Sequence, residues 1–131
     1  MTRRRLLLTC CSLAAAWISG CGGPSRSSYI PAAHTARTSL QTALEAWKSG
    51  TPFGPITTSK PVINVFEARW RDGKKLESFE ILEEIKNPDQ PQFKVRLHLT
   101  GEAEVTSVYH VIGIDPLNVF GDEDYKQAQS M

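Results

Sequence analysis

The stretch FKVRLHL, residues 93–99, decides the fold because it alternates apolar and basic side chains without a break. Phe93, Val95, Leu97 and Leu99 occupy every second position. Successive side chains of a β-strand point to opposite faces, so this alternation predicts a strand with one buried and one solvated face. A sheet built from such strands needs an apolar cover on one face only.

Three further strand-like runs flank this stretch, at residues 62–70, 76–85 and 105–114. The run at 105–114 is apolar on both faces, which is typical of a central strand. Only a few residues separate each run from the next, and connections of that length join neighbouring antiparallel strands. The sequence therefore predicts a four-stranded antiparallel meander.

An amphipathic helix predicted at residues 32–49 supplies the cover for this sheet. Its apolar side chains recur at helical spacing: Ala36, Leu40, Ala43, Leu44 and Trp47. Gly50 follows the last turn, where a left-handed cap is favoured. We therefore predict an α+β domain at residues 32–120, with one N-terminal helix packed on the meander. The polar tail at residues 121–131 is expected to fray.

The N-terminus has the layout of an export signal, with arginines at positions 3, 4 and 5 followed by an apolar run at residues 6–18. This run of 13 residues is too short for a transmembrane helix, which needs roughly 20. The ordinary secretory route is favoured over the twin-arginine route, which this arginine cluster also suits.

The signal ends in Ile18, Ser19, Gly20 and Cys21, which resemble the bacterial lipobox. This resemblance implies a lipoprotein: diacylglycerol is attached to the Cys21 thiol, the signal at residues 1–20 is removed, and the new N-terminus often receives a further acyl chain such as palmitate. Residues 21–31, rich in Gly, Ser and Pro, then form a flexible tether. The protein is expected in the cell membrane or outer membrane, with its domain outside the cytoplasm.

Removal of the signal also changes the charge and the cysteine content. The mature chain keeps 12 Lys and Arg against 14 Asp and Glu, a formal balance of −2, which gives no basic patch for nucleic acid. Cys10 and Cys11 leave with the signal, and Cys21 is occupied by lipid. No thiol remains for a disulfide, a redox centre or a metal site.

No catalytic motif stands out in the mature chain. His34, His98 and His110 match no metal-ligand spacing and are interpreted as ordinary surface or core residues. The carboxylates of Glu77, Glu80, Glu83 and Glu84 are interpreted as a solvated sheet face, in which Glu80 and Glu84 would lie on the same side. The aromatic residues Trp47, Phe66, Trp70, Phe79 and Phe93 are interpreted as core, with a pocket lining as the alternative.

One helix followed by an antiparallel meander resembles the cystatin-like and nuclear-transport-factor-2-like folds, over residues 32–120. Protease-inhibiting cystatins carry a Q-x-V-x-G hairpin, which is absent here, since Val111, Ile112 and Gly113 follow no Gln. This departure disfavours inhibition.

The sequence predicts a membrane-anchored cell-envelope lipoprotein with a small noncatalytic binding or structural domain, no cofactor and no metal. The bilayer is its partner through Cys21, together with an unidentified envelope protein. The alternative is a small-ligand-binding protein or enzyme that uses the concave face of the sheet, with His110 beside a carboxylate.

Overall fold

The computed structural model describes residues 30–86 and 89–130. The elements follow in the order α1 (Ala33–Lys48), β1 (Ile63–Phe66), α2 (Ala68–Arg71), β2 (Leu76–Ile85), β3 (Gln92–Leu99), β4 (Val105–Ile112), β5 (Leu117–Gly121) and α3 (Asp122–Gln129). The strands form one open mixed sheet in the order β1-β5-β4-β3-β2. The predicted α+β class is confirmed.

Helix α1 covers one face of the sheet, as its apolar spacing predicts. Leu40, Leu44 and Trp47 of this helix are buried against the sheet. The helix ends where Gly50 takes a φ of 86°, a left-handed conformation that glycine adopts readily. The backbone N–H groups of Gly50 and Thr51 donate to the carbonyl oxygens of Trp47 and Ala46, which caps this helix end.

The predicted meander is confirmed for β2, β3 and β4, which pair antiparallel in chain order. In β3 the four apolar side chains of the FKVRLHL stretch are buried, with at most 1% of each exposed, whereas Arg96 and His98 are exposed. Strand β4 lies third in the sheet of five, as its two-sided apolar pattern predicts. It ends at Ile112 because Gly113 turns the chain with a φ of 97°, and a Cβ there would lie 2.7 Å from the Pro116 carbonyl oxygen.

The predicted first strand, residues 62–70, is wrong in its second half and in its pairing. Only Ile63–Phe66 is a strand, and it pairs in parallel with β5 instead of antiparallel with β2. Glu67 ends the strand because its carboxylate accepts a hydrogen bond from the backbone N–H of Arg69, which starts the short helix α2. The sheet is therefore mixed and has five strands.

The C-terminal segment also differs from the prediction. Leu117–Gly121 forms β5 between β1 and β4, and the tail expected to fray continues into helix α3. Helix α3 buries none of its own residues, so an apolar pattern does not hold it in place. Hydrogen bonds and a ring contact attach it instead to β4 and α2.

Candidate functional site

His110 has the most specific surroundings of the three histidines. It lies on the sheet face opposite α1, because its neighbour Tyr109 points into the core and successive side chains of a strand alternate. Its Nε2 lies 3.1 Å from Asp122 Oδ1, and its Nδ1 lies 3.0 Å from Gln90 Nε2. The Tyr125 ring stacks on the imidazole with centroids 3.9 Å apart.

These contacts occupy both ring nitrogens of His110. The amide nitrogen of Gln90 can only donate, so Nδ1 accepts and Nε2–H donates to the Asp122 carboxylate. The residue is 5% exposed. Asp122 supplies the neighbouring carboxylate that an acid–base role for His110 requires. A general base also needs a ring nitrogen within reach of the substrate, and both nitrogens of His110 already have partners. The arrangement fastens α3 to the sheet.

Burial lowers the pKa of His110 below its ordinary 6.5, although the hydrogen bond to Asp122 opposes this effect. Desolvation acts to raise the pKa of Asp122, but hydrogen bonds from His110 and Lys126 outweigh it and the pKa lies below 3.8. Both groups therefore favour the folded state at neutral pH. The neutral imidazole and the carboxylate are the forms that the fold accommodates.

The free energy of unfolding is expected to decrease as the pH falls below about 6.5, because the unfolded chain then binds a proton at His110 more readily than the folded chain. The effect of Asp122 lies at lower pH, around and below its ordinary pKa of 3.8. Urea titrations between about pH 7.5 and about pH 5 would measure the His110 effect alone. His110→Gln should flatten this pH dependence and His98→Gln should not; equal slopes in both variants would contradict the assignment.

Glu80 and Glu84, the other acid–base candidates, lie on opposite faces of the sheet. Strand β2 has a register shift between Ile81 and Glu83, so Glu80 lies opposite Arg96 whereas Glu84 lies opposite the buried Phe93. The prediction that Glu80 and Glu84 share a face is therefore wrong, because the bulge reverses the alternation.

The carboxylates on this face are paired with basic side chains. Glu80 lies 2.7 Å from Arg96, Glu83 lies 3.2 Å from Lys94, and Glu77 lies 3.5 Å from His98. Within residues 30–86 and 89–130, no group of three or more His, Cys, Asp or Glu side chains could hold a metal ion. His34, an exposed residue of α1, belongs to no such group.

Glu67 is a buried carboxylate that the sequence analysis missed. It is 2% exposed and accepts hydrogen bonds from the Tyr109 hydroxyl at 2.5 Å and from Arg69 Nη1 at 3.0 Å. Burial and the neighbouring Glu67 charge raise the pKa of Tyr109 well above 10.0. In the sequence, Glu67 occupies a polar position of an apparent strand, so no local signal marks it as buried.

A cavity of about 440 Å³ opens where α1 ends. Trp47, Phe53 and Trp70 contribute its aromatic wall. The two indole rings stack with centroids 5.9 Å apart, and Phe53 meets Trp70 edge-on at 5.7 Å. Both indole N–H groups are satisfied, by the carbonyl oxygens of Lys74 and Thr51. The wall therefore presents ring carbons without an unpaired polar atom.

The five aromatic residues assigned to the core thus have different positions. Phe93 is buried in the core and Phe79 packs against it. Phe66 lies on the opposite sheet face, where it is 37% exposed and stacks on Phe120 at 4.5 Å. Trp47 and Trp70 belong to the core and also line the cavity, so the core and pocket interpretations both apply to them.

No protein-family model, curated protein or solved structure matches this chain. Cys21, the predicted signal at residues 1–20 and most of the predicted tether at residues 21–31 lie outside the described residues. None of the described helices has the length and apolar character needed to cross a membrane.

Proposed function

We propose that the chain is a cell-envelope lipoprotein, anchored through acylated Cys21, whose α+β domain binds a ligand and does not act as an enzyme. The cavity at the end of α1 carries the binding role. Its volume falls in the range of about 300–1,000 Å³ that is usual for small-molecule sites, and its lining combines the aromatic wall with polar side chains.

The surroundings of His110 favour binding over catalysis. The alternative function was a small-ligand-binding protein or enzyme that uses the concave face of the sheet, and its enzymatic form needs His110 to present a nitrogen to a substrate. Gln90 and Asp122 contact both nitrogens, and Tyr125 stacks on the ring. A substrate could reach this imidazole only after α3 had left the sheet.

The position of the cavity suits a domain tethered at its N-terminus. The predicted tether precedes α1 in the sequence, and the cavity lies where α1 ends, about 24 Å further along a helix of 16 residues. The cavity therefore lies at the end of α1 remote from the anchor. We also propose that α1 with β2, β3 and β4 corresponds to the helix-on-meander unit of cystatin-like folds, on the basis of element order.

Mass spectrometry of the protein extracted from bacterial membranes tests the anchor directly. The expected N-terminal residue is Cys21 with a diacylglyceryl group, because the peptidase of the lipoprotein pathway cleaves just before the modified cysteine. A control sample treated with an inhibitor of that peptidase should accumulate the chain that retains residues 1–20. A mature N-terminus at any other residue, or an unmodified Cys21, would contradict the proposal.

A further inference from the structure

The charged side chains that line the cavity are all positive. Three lysines line it, Lys48, Lys74 and Lys75, and no carboxylate does. Lys74 forms an ion pair with Glu102 at 2.6 Å. Within the part of the chain that the structure describes, Lys48 and Lys75 form no ion pair.

The helix dipole of α1 explains the position of only one of these lysines. Lys48, in the last turn, is well placed to offset the negative end of the helix dipole. The last carbonyl oxygens of the helix already accept hydrogen bonds from the N–H groups of Ser49, Gly50 and Thr51. Lys75 lies outside the helix, immediately before β2, so its charge remains available to a ligand.

The apolar wall lies beside these cations. Phe53 is 36% exposed, whereas Trp47 and Trp70 are 3% and 6% exposed, so Phe53 is the ring that a ligand would contact most fully. The stacked indoles fix its position through the edge-on contact with Trp70. A ligand that fits both features needs an apolar or aromatic group for Phe53 and an anionic group for the lysines.

We propose that this cavity binds a small carboxylate that carries an aromatic or other apolar group. The inference rests on the proposed binding function and names its ligand class. The carboxylate accepts charge-assisted hydrogen bonds from Lys48 and Lys75, and the apolar group packs on Phe53. A cation with the same apolar group is expected to bind more weakly, because three lysines line the cavity and no carboxylate does.

Tryptophan fluorescence can detect this binding selectively. The chain has three tryptophans, Trp17 in the signal and Trp47 and Trp70 at the cavity. In the chain carrying Trp17→Phe, reconstituted in phosphatidylcholine vesicles, all tryptophan emission comes from Trp47 and Trp70 at the cavity whether or not the signal is cleaved. The probes are 3-phenylpropanoate and 3-phenylpropylamine, which share a phenyl ring and carry opposite charges at neutral pH.

A saturable change in emission is expected with 3-phenylpropanoate, with an affinity at least tenfold higher than that for 3-phenylpropylamine. The double substitution Lys48→Gln with Lys75→Gln should weaken carboxylate binding about tenfold, and Phe53→Ala should weaken it about fivefold. Lys86→Gln is the matched control, because Lys86 is an exposed lysine at the far end of β2 and does not line the cavity. All four substituted positions are exposed, and unchanged circular dichroism would verify the fold of each variant.

Equal affinity for the two probes, no saturable change with the carboxylate, or unaltered binding by the double variant would overturn the inference. Binding of the amine alone would reject the ligand class while leaving a binding function in place. If neither 3-phenylpropanoate nor 3-phenylpropylamine changed the emission, the cavity would be rejected as a binding site for ligands of this size. Attachment to the membrane is measured separately at Cys21, so a failure of the anchor leaves the fluorescence result interpretable.

Discussion

Cys21→Ser is expected to move the protein from the membrane fraction to the soluble fraction or to leave it as an unprocessed precursor. In either case the mature lipid-anchored form should disappear. Serine has no thiol to form the thioether to diacylglycerol. Each buried CH₂ of an acyl chain contributes about 0.8 kcal/mol, and stable anchoring needs at least two chains, so removal of the diacylglyceryl group removes the attachment. Fractionation together with metabolic labelling by palmitate measures the result.

The signal provides its own matched controls for this experiment. Cys10 and Cys11 lie in the apolar run, away from the lipobox, so Cys10→Ser and Cys11→Ser should retain both labelling and membrane attachment. Undiminished labelling of the Cys21→Ser protein would show that the acyl chains are attached elsewhere. A loss of labelling in the control variants as well would indicate a general failure of export.

Glu67→Ala is expected to destabilise the domain by about 3 kcal/mol. The substitution removes the acceptor for the Tyr109 hydroxyl and for Arg69, and Tyr109 is 1% exposed, so water cannot replace the lost partner. It also removes the side-chain cap at the start of α2. Urea unfolding followed by circular dichroism measures the loss.

Two further variants separate this effect from ordinary loss of charge. Glu83→Ala removes a carboxylate that is 58% exposed, and it should change the free energy of unfolding by no more than about 0.5 kcal/mol. Tyr109→Phe combined with Glu67→Ala should cost about 1 kcal/mol less than the sum of the two single variants, because each removes the same hydrogen bond. Strict additivity would contradict the interaction between Glu67 and Tyr109.

The elements that were predicted correctly are those whose apolar side chains follow a regular spacing within a single helix or strand. In α1 and β3, the spacing of apolar side chains alone identifies both the type of element and its buried face. The short connections between β2, β3 and β4 also constrain their pairing, because nearby strands joined by few residues pair antiparallel. Register within β2 was less predictable, because a bulge reverses the faces beyond Ile81.

The candidate sites were less accessible from the sequence because their residues come together only in the folded chain. His110 meets Asp122 and Gln90 from two other segments, and the tautomer that these contacts select could not be inferred from spacing. The cavity combines Phe53 from a loop with Trp70 from a segment that resembles a strand. Composition identified the aromatic residues, but not which of them would share a wall.

The sequence by itself determined the α+β class, helix α1, the three-strand meander and the prediction of a lipid anchor at Cys21, because each depends on residues close together in the chain. Only the tertiary structure decided that β1 pairs in parallel with β5, that α3 packs on the sheet, and that Glu67 is buried. These features depend on contacts between distant segments. They are stabilised by hydrogen bonds and burial between those distant segments, which a local sequence pattern does not predict. The first strand and the tail were therefore predicted wrongly.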